Sequence, residues 1–220
     1  MLLINEVIVS FMRSLSFAES KLLLDKYALP LVPTTATRSP RELLVKFAEM
    51  RKPAVLKASG PGVMHKTEKG LVFLNLHYNA QIEEAARQIQ ANVEGDFQFL
   101  LQEQLSGAEL IVGGKVDNSF GPVVLFGTGG IYAELLDDVS VRVAPLSPED
   151  ARQMLWETHA KKFIKGFRSR KMNEEKMISL LLKTSSLMAE NPQIKELDFN
   201  PVIANEESAV IVDARIIVDR

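Results

Sequence analysis

The sequence predicts an α+β fold, and two patterns in its 220 residues indicate this class. Capping residues followed by apolar residues at helical spacing mark the helices. After residue 95, several strand-like segments follow one another without a helix between them, which favours antiparallel pairing. With 46% hydrophobic and 25% charged residues, the composition is that of an ordinary globular protein.

The helices begin at recognisable capping signals. Ser16 and Ser39 are each followed three residues later by glutamate, which is the pattern of a capping box. Asn79, Ser147 and Asn173 are further capping residues, and Pro148 suits the first helical position. The predicted helices cover about 17–28, 40–50 and 174–189, with two more that start at Asn79 and at Ser147.

Strand-like segments fill most of the remaining chain and are bounded by turn residues. They are expected at about 31–35, 53–58, 70–77, 97–104, 108–117, 121–126, 139–143, 194–203 and 208–218. Neither the dinucleotide pattern GxGxxG nor the phosphate-loop pattern GxxxxGK[ST] occurs in the chain.

The composition excludes several classes of protein. The net charge of −2 provides no large positive field for a nucleic-acid backbone, so no nucleic-acid partner is expected. The absence of cysteine excludes disulfides and thiolate chemistry. No segment is long and apolar enough to span a membrane, and residues 1–14 make a poor signal peptide, so we expect a cytoplasmic protein. One basic cluster, at 161–171, either binds a phosphate-bearing partner or is a solvated helix end.

Glycine is concentrated between residues 60 and 130, often at the ends of predicted strands. Glycine permits close approach of the backbone to a ligand such as phosphate, and it equally permits tight hairpin turns. Lys57 ends the strand that precedes the first glycine-rich loop. A lysine there either reaches a phosphate as a point charge or lies on the surface.

His65 is the one histidine of three that falls in a loop rich in glycine and proline. Imidazole is a competent nucleophile towards phosphoryl groups, and a loop suits a group that moves during catalysis. His77 and His159 are more readily explained as structural or exposed side chains.

Carboxylates at the end of the 97–104 strand and just after it form a second candidate group. The edge of a strand offers backbone donors and acceptors to a ring such as adenine, and a carboxylate a few residues later can accept bonds from ribose hydroxyls. Glu103 and Glu109 have this spacing. Solvent-facing strand residues are the simpler alternative.

The strongest spacing argument concerns the last two predicted strands. Asp198 and Asn200 point to one face of their strand, whereas Leu197 and Phe199 point to the other. A turn at 205–208 places Asn200 opposite Asp213, with Cβ atoms about 5 Å apart. Oxygen ligands at this separation suit Mg²⁺. A salt bridge with Arg215 is the structural alternative.

Three collinear stretches carry a resemblance to a known family. They are AVLKASGPGVMHKTEKG, LQEQLSGAELIVGGKVDNSFGPVVLFGTGGIYAELLDDVSVRVAPL and IKELDFNPVI with VIVDARI. In these three stretches the chain resembles the β subunit of ADP-forming acetyl-CoA (acyl-CoA) synthetases, an ATP-grasp domain related to the succinyl-CoA synthetase β chain. The resemblance implies two α+β lobes with nucleotide bound between mostly antiparallel sheets. The small lobe is expected at 20–97 and the large lobe at 98–220, with residues 1–19 packing on the large lobe.

The resemblance also implies roles for individual residues. Lys57 would hold nucleotide phosphates, Glu103 and Leu105 would frame the adenine, and Glu109 would approach the ribose. Asn200 and Asp213 would bind Mg²⁺, and His65 would accept and carry a phosphoryl group. The glycines that would lie near the travelling phosphate are Gly127, Gly129 and Gly130.

The resemblance further implies a partner. The CoA-binding part of the family and its own phosphorylatable histidine are expected on an α subunit, in an α2β2 hetero-oligomer that converts acyl-CoA, phosphate and ADP into acid, CoA and ATP. One alternative is a regulatory ATP-grasp module of a protein acetyltransferase system. Another is a scaffold that has lost nucleotide binding.

Overall fold

The computed structural model describes residues 12–60, 63, 70–129, 138–167 and 170–219. The helices in this part of the chain are α1 (Phe17–Lys26), α2 (Pro40–Glu49), α3 (Asn79–Asn92), α4 (Pro148–Glu157), α5 (Lys161–Ile164) and α6 (Glu174–Glu190). The strands are β1 (Met12–Ser14), β2 (Thr34–Thr37), β3 (Ala54–Ser59), β4 (Val72–Leu76), β5 (Gln98–Glu103), β6 (Ala108–Asp117), β7 (Gly121–Thr128), β8 (Val139–Val143), β9 (Ile194–Ala204), β10 (Ala209–Ile211) and β11 (Ala214–Asp219).

The helix starts follow the capping signals in the sequence. Ser16 forms a complete capping box with Glu19, and Ser39, Ser147 and Asn173 each accept a backbone N–H of the first turn. The third helix differs from the prediction. Asn79 is its first helical residue, and Tyr78 is its cap. The Gln81 side chain accepts the backbone N–H groups of His77 and Tyr78, which fixes the start of the helix there.

The chain divides into two units, each with its own sheet and its own core. The larger unit comprises Met1–Leu31 and Ser106–Arg220, and the smaller unit is Val32–Leu105. These bounds differ from the expected lobes at 20–97 and 98–220. Strand β5 belongs to the smaller unit because it lies between β2 and β3, and Leu24 and Leu29 belong to the core of the larger unit.

The larger unit contains a seven-stranded sheet in the order β1-β11-β9-β6-β7-β8, with β10 also paired to β9. In the described residues its strands pair antiparallel, as predicted, and one isolated parallel bridge joins Leu31 to Ile211 of β10. Helices cover one face of this sheet, and α6 approaches β6 so closely that a Cβ on Gly114 would lie 2.8 Å from the Met188 side chain. The opposite face carries the polar residues of β9, so the sheet presents them away from the helical layer.

The smaller unit contains a four-stranded antiparallel sheet in the order β2-β5-β3-β4. Helices α2 and α3 cover one face through Leu43, Phe47, Ile82 and Ile89, all at most 1% exposed. Alternation along β3 places Ala54, Leu56 and Ala58 in that core and directs the side chains of Val55 and Lys57 to the other face.

Candidate functional site

The hairpin that ends the chain has the register predicted from its spacing. Asn205 closes the turn, since its backbone N–H donates to Ser208 O and its side chain accepts two further backbone N–H groups. Ala209 then pairs with Ala204, and the Asn200 N–H donates to Asp213 O at 3.1 Å. The prediction that Asn200 faces Asp213 is therefore confirmed.

One feature of this hairpin departs from the prediction. The expected strand 208–218 is interrupted between β10 and β11 at Val212 and Asp213. The interruption lies beside a bulge, where Asn200 and Pro201 of β9 together oppose the single residue Ile111 of β6. Proline provides no N–H to the ladder, and a bulge redirects the neighbouring side chains. The irregular backbone thus coincides with the two predicted metal ligands.

Asp198 lies two residues before Asn200 on β9, so its side chain points to the same face of the sheet. It stands opposite Gly113 of β6 and Arg215 of β11. Partial burial raises the pKa of the Asp198 carboxyl, and the nearby charge of Asp213 raises it further. The positive charge of Arg215 opposes these effects, although its ion pair is formed with Glu196 at 3.8 Å. This face of the sheet therefore concentrates negative charge that a cation can compensate.

The donor set suits magnesium bound together with phosphates. Asn200 is exposed, Asp213 is half-buried, and both offer hard oxygen ligands. Among the described residues no group of three His, Cys, Asp or Glu side chains has the arrangement of a metal site. Mg²⁺ is commonly held by one or two carboxylates while phosphates and water complete the octahedron.

The glycines at the end of β7 are required by close approach of neighbouring backbone. A Cβ on Gly127 would lie 2.7 Å from Asp138 O, and one on Gly129 would lie 3.0 Å from the Glu109 carbonyl carbon. Gly121 has a positive φ of 75° and serves the β6–β7 turn, so the turn explanation holds there. Gly130 lies outside the described residues.

Lys57 is not a surface lysine, because it is only 3% exposed. It lies on β3 opposite Leu100 of β5 and Val72 of β4, on the face of the smaller sheet away from α2 and α3. Burial of an ammonium group is costly unless charge or hydrogen bonds compensate it. This burial excludes the surface alternative, while the phosphate contact of Lys57 stays a prediction.

Of the residues expected to contact adenine and ribose, Glu103 and Leu105 belong to the smaller unit and Glu109 belongs to the larger unit. Glu103 is the last residue of β5, and its carboxylate lies 3.6 Å from the Arg51 guanidinium. The backbone N–H and C=O of Leu105 have no hydrogen-bond partner among the described residues. Those two groups are suited to the edge of a purine ring. Glu109 is an exposed residue of β6.

The histidines differ in what the structure describes. His65 lies outside the described residues. His77 is exposed at the end of β4, as expected, and His159 is also exposed, with its ring nitrogen 3.3 Å from Asp138. Sequence reasoning did not single out Asp138, since its contacts join residues 10 and 21 positions away.

Two lysines of the basic cluster at 161–171 have partners within the chain, one of them a carboxylate and the other an aromatic ring. Lys171 lies 3.2 Å from Glu206, and the Lys165 ammonium lies over the Trp156 ring at 5.3 Å from its centroid. Arg168 is outside the described residues. None of the helices in the described part of the chain has the length and apolar character needed to cross a membrane.

Comparison with protein families identifies the class. Residues 7–218 match the model of the ATP-grasp domain. The chain therefore belongs to the ATP-grasp family.

More specific relatives are found among ADP-forming ligases. The chain is 37% identical to acetate–CoA ligase [ADP-forming] I subunit beta of Pyrococcus furiosus, over 94% of this chain and 92% of the relative. It is 32% identical to acetate–CoA ligase [ADP-forming] II subunit beta of the same organism, over 98% of this chain and 96% of the relative. Acetate–CoA ligase [ADP-forming] I of Archaeoglobus fulgidus is 36% identical, and the match covers 91% of this chain but 30% of that longer relative.

Solved structures agree with these relatives. Acetyl-coenzyme A synthetase 1 of Ca. Korarchaeum cryptofilum, solved with coenzyme A and Ca-AMPCP, superposes with a TM-score of 0.86 at 37% identity and 94% coverage of both chains. A second structure of that protein has a TM-score of 0.79 at 38% identity, and the match covers 94% of this chain and 93% of that chain. It contains coenzyme A and Mg-AMPPCP, with a phosphohistidine segment that points towards the nucleotide-binding site. The α+β, ATP-grasp prediction is thereby confirmed.

Proposed function

We propose that this chain is the nucleotide-binding subunit of an ADP-forming acyl-CoA synthetase of the acetate–CoA ligase type. The match with a Pyrococcus β subunit over nearly the whole length of both chains carries the proposal. The relatives named above are CoA ligases, which favours an enzyme subunit over a regulatory module of an acetyltransferase system. The buried Lys57 and the hairpin of Asn200 and Asp213 disfavour a scaffold that has lost nucleotide binding.

The proposed binding roles follow the chemistry of each group. Asn200 and Asp213 hold Mg²⁺ through oxygen atoms, and Lys57 neutralises nucleotide phosphate. The main-chain groups of Leu105, together with Glu103, meet the adenine. Glu109 accepts hydrogen bonds from the ribose hydroxyls.

The glycines Gly127, Gly129 and Gly130 form the part of the site through which the phosphate passes. Close contacts of Gly127 and Gly129 with neighbouring backbone support a fixed main-chain path at this point. Bound magnesium supplies charge neutralisation, while the protein supplies position, as phosphoryl transfer requires.

The proposed reaction needs a CoA-binding α partner in an α2β2 assembly. On the partner, phosphate displaces CoA from acyl-CoA to form acyl phosphate, and the phosphoryl group then passes to a partner histidine with release of the acid. The N–P bond breaks as a nitrogen of His65 takes the phosphoryl group. A β-phosphate oxygen of ADP finally attacks phosphorus, so that ATP forms and the imidazole of His65 is released.

Reconstitution tests this proposal. The chain is isolated from its native cell, and the CoA-binding subunit that accompanies it is identified and purified separately. ATP formation from acetyl-CoA, phosphate and Mg-ADP is expected when both chains are present and not with either alone. Native mass spectrometry of the active complex is expected to give two copies of each chain. Robust ATP formation by this chain alone, or none with the partner, would refute the proposed function.

A further inference from the structure

Asp138 is a buried carboxylate that joins three separate segments of the larger unit. Its side chain is 7% exposed. The Thr128 hydroxyl at the end of β7 donates to it at 2.6 Å, and the backbone N–H of His159 donates to both carboxylate oxygens at 2.8 and 3.1 Å. The His159 ring nitrogen lies 3.3 Å from the carboxylate, on a side chain that is half exposed. A carboxylate this buried is tolerated because charge-assisted hydrogen bonds compensate its desolvation.

The same end of β7 is held from its other side by β6. The Gly129 N–H donates to Glu109 O at 2.8 Å, and Gly127 pairs with Ile111. On the β8 side, Gly127 pairs with Val139 and leaves no room for a side chain against the Asp138 carbonyl. The backbone of residues 127–129 is therefore fixed between β6 and the segment that carries Asp138.

We propose that Asp138 is a positioning residue for phosphoryl transfer, because its bond to Thr128 fixes the main chain of Gly127 and Gly129. This inference rests on the proposed function, in which these glycines lie beside the travelling phosphate. Phosphoryl transfer requires reacting atoms about 3–3.5 Å apart, and a displacement of about 1 Å can cost 100-fold in rate. Asp138 acts through Thr128 and does not itself contact nucleotide.

Thr128, His159 and Asp138 take part in these hydrogen bonds through different atoms, so substitutions can separate their contributions. Thr128 contributes a side-chain hydroxyl, which a valine cannot replace and a serine can. His159 contributes mainly its backbone N–H, which survives any replacement of the imidazole except by proline. Asp138→Asn keeps the size of the side chain but presents an NH₂ group where the carboxylate accepts hydrogen bonds.

The experiment measures steady-state kinetics of each variant in the assembly with the CoA-binding partner. The kcat is divided by the concentration of chain that calorimetry shows to be competent to bind Mg-ADP. Asp138→Asn and Thr128→Val are expected to lower kcat about tenfold or more while the KM for ADP stays within about threefold. Thr128→Ser restores the rate. His159→Ala keeps kcat within about twofold, as for an ordinary surface substitution.

Asp117→Asn is the matched control. Asp117 also accepts two backbone N–H groups, from Ser119 at 2.8 Å and Phe120 at 3.0 Å, but at the opposite end of β7. Its replacement is expected to leave kcat within about twofold of wild type. The contrast separates a general loss of strand stability from a loss of position at the glycines.

A second measurement does not depend on activity. Amide hydrogen exchange of residues 126–129 in the isolated chain is expected to accelerate about tenfold in Asp138→Asn and Thr128→Val, and not in Asp117→Asn. Unchanged exchange, or a normalised kcat of both variants within twofold of wild type, would overturn the positioning role. An inactive wild-type assembly contradicts the proposed function, whereas the exchange measurement still decides whether Asp138 holds the strand end.

Discussion

At the level of single residues, the position of the predicted metal ligands depends on one main-chain hydrogen bond. The Asn200 N–H donates to Asp213 O, so the two oxygen-bearing side chains start from directly opposed backbone positions. Asp198, on the same face, has a raised pKa because of burial and the Asp213 charge. Nearby carboxylates that repel one another gain from a bound cation, and this electrostatic effect favours the predicted magnesium site.

Asp213→Ala is expected to weaken Mg-ADP binding at least about tenfold, because even an indirect partner of a bound metal is commonly worth 10–100-fold in affinity. Calorimetry on the isolated chain at saturating Mg²⁺ measures this change. Asp219→Ala is the matched control, since Asp219 is an aspartate of β11 in a salt bridge with Lys195 at 2.8 Å. Equal affinity of folded Asp213→Ala and wild type would remove Asp213 from the site.

At the level of secondary structure, local hydrogen bonds connect β1 to the first helix. Arg13 of β1 forms two hydrogen bonds to Glu19, at 2.8 and 3.1 Å, while Glu19 also closes the capping box on Ser16. The hydrogen bond from Arg13, followed by those from Ser16, lowers the pKa of the Glu19 carboxyl to about 2. Because the folded-state pKa lies below the ordinary value of 4.5, ionised Glu19 stabilises the fold above that value.

Glu19→Gln is expected to lower the free energy of unfolding by up to about 1 kcal/mol at pH 7, since solvent screens this exposed pair. The difference from wild type should shrink as the pH falls from 4.5 towards 2, where Glu19 takes up a proton in the native protein. Urea unfolding at pH 7 and at pH 3 measures it. Glu49→Gln, which removes a contact with Lys46 at 3.1 Å on α2, is the control. A difference that is the same at both pH values would contradict the assignment.

At the level of the whole molecule, the candidate residues are distributed over two units with separate cores. Lys57, Glu103 and Leu105 belong to the smaller unit, whereas Asn200 and Asp213 belong to the larger one. The proposed reaction also needs a separate chain, the CoA-binding partner subunit on which the acyl group reacts. A phosphoryl group that moves between a partner and ADP needs a carrier, because each transfer requires close approach of the reacting atoms.

His65→Ala is expected to leave Mg-ADP affinity within about threefold and to abolish phosphoryl transfer from the phosphorylated partner to ADP, because a carrier is needed for transfer and not for binding. Acid-labile phosphate should appear on the wild-type chain and be absent from this variant. His77→Ala, at an exposed position after β4, serves as the control. ATP formation by His65→Ala near the wild-type rate would show that the relay does not use this residue.

The sequence by itself determined the features that depend on neighbours along the chain. Capping residues located the helix starts at Ser16, Ser39 and Ser147, since their side chains satisfy backbone N–H groups within one turn. Turn length and the two-residue period determined the register that places Asn200 opposite Asp213. The family resemblance named the remaining candidates, whose individual roles stay predictions.

Only the tertiary structure decided which residues from distant segments meet. The burial of Lys57, the bulge at Asn200 and Pro201, and the assignment of β5 to the smaller unit depend on strand order, which no local pattern encodes. Asp138 shows the reason most directly, since its partners Thr128 and His159 become neighbours only after β7, β8 and the segment before α5 have packed together. Periodicity along a chain reports the face on which a side chain lies, whereas its contacts across that face are set by the assembled sheet.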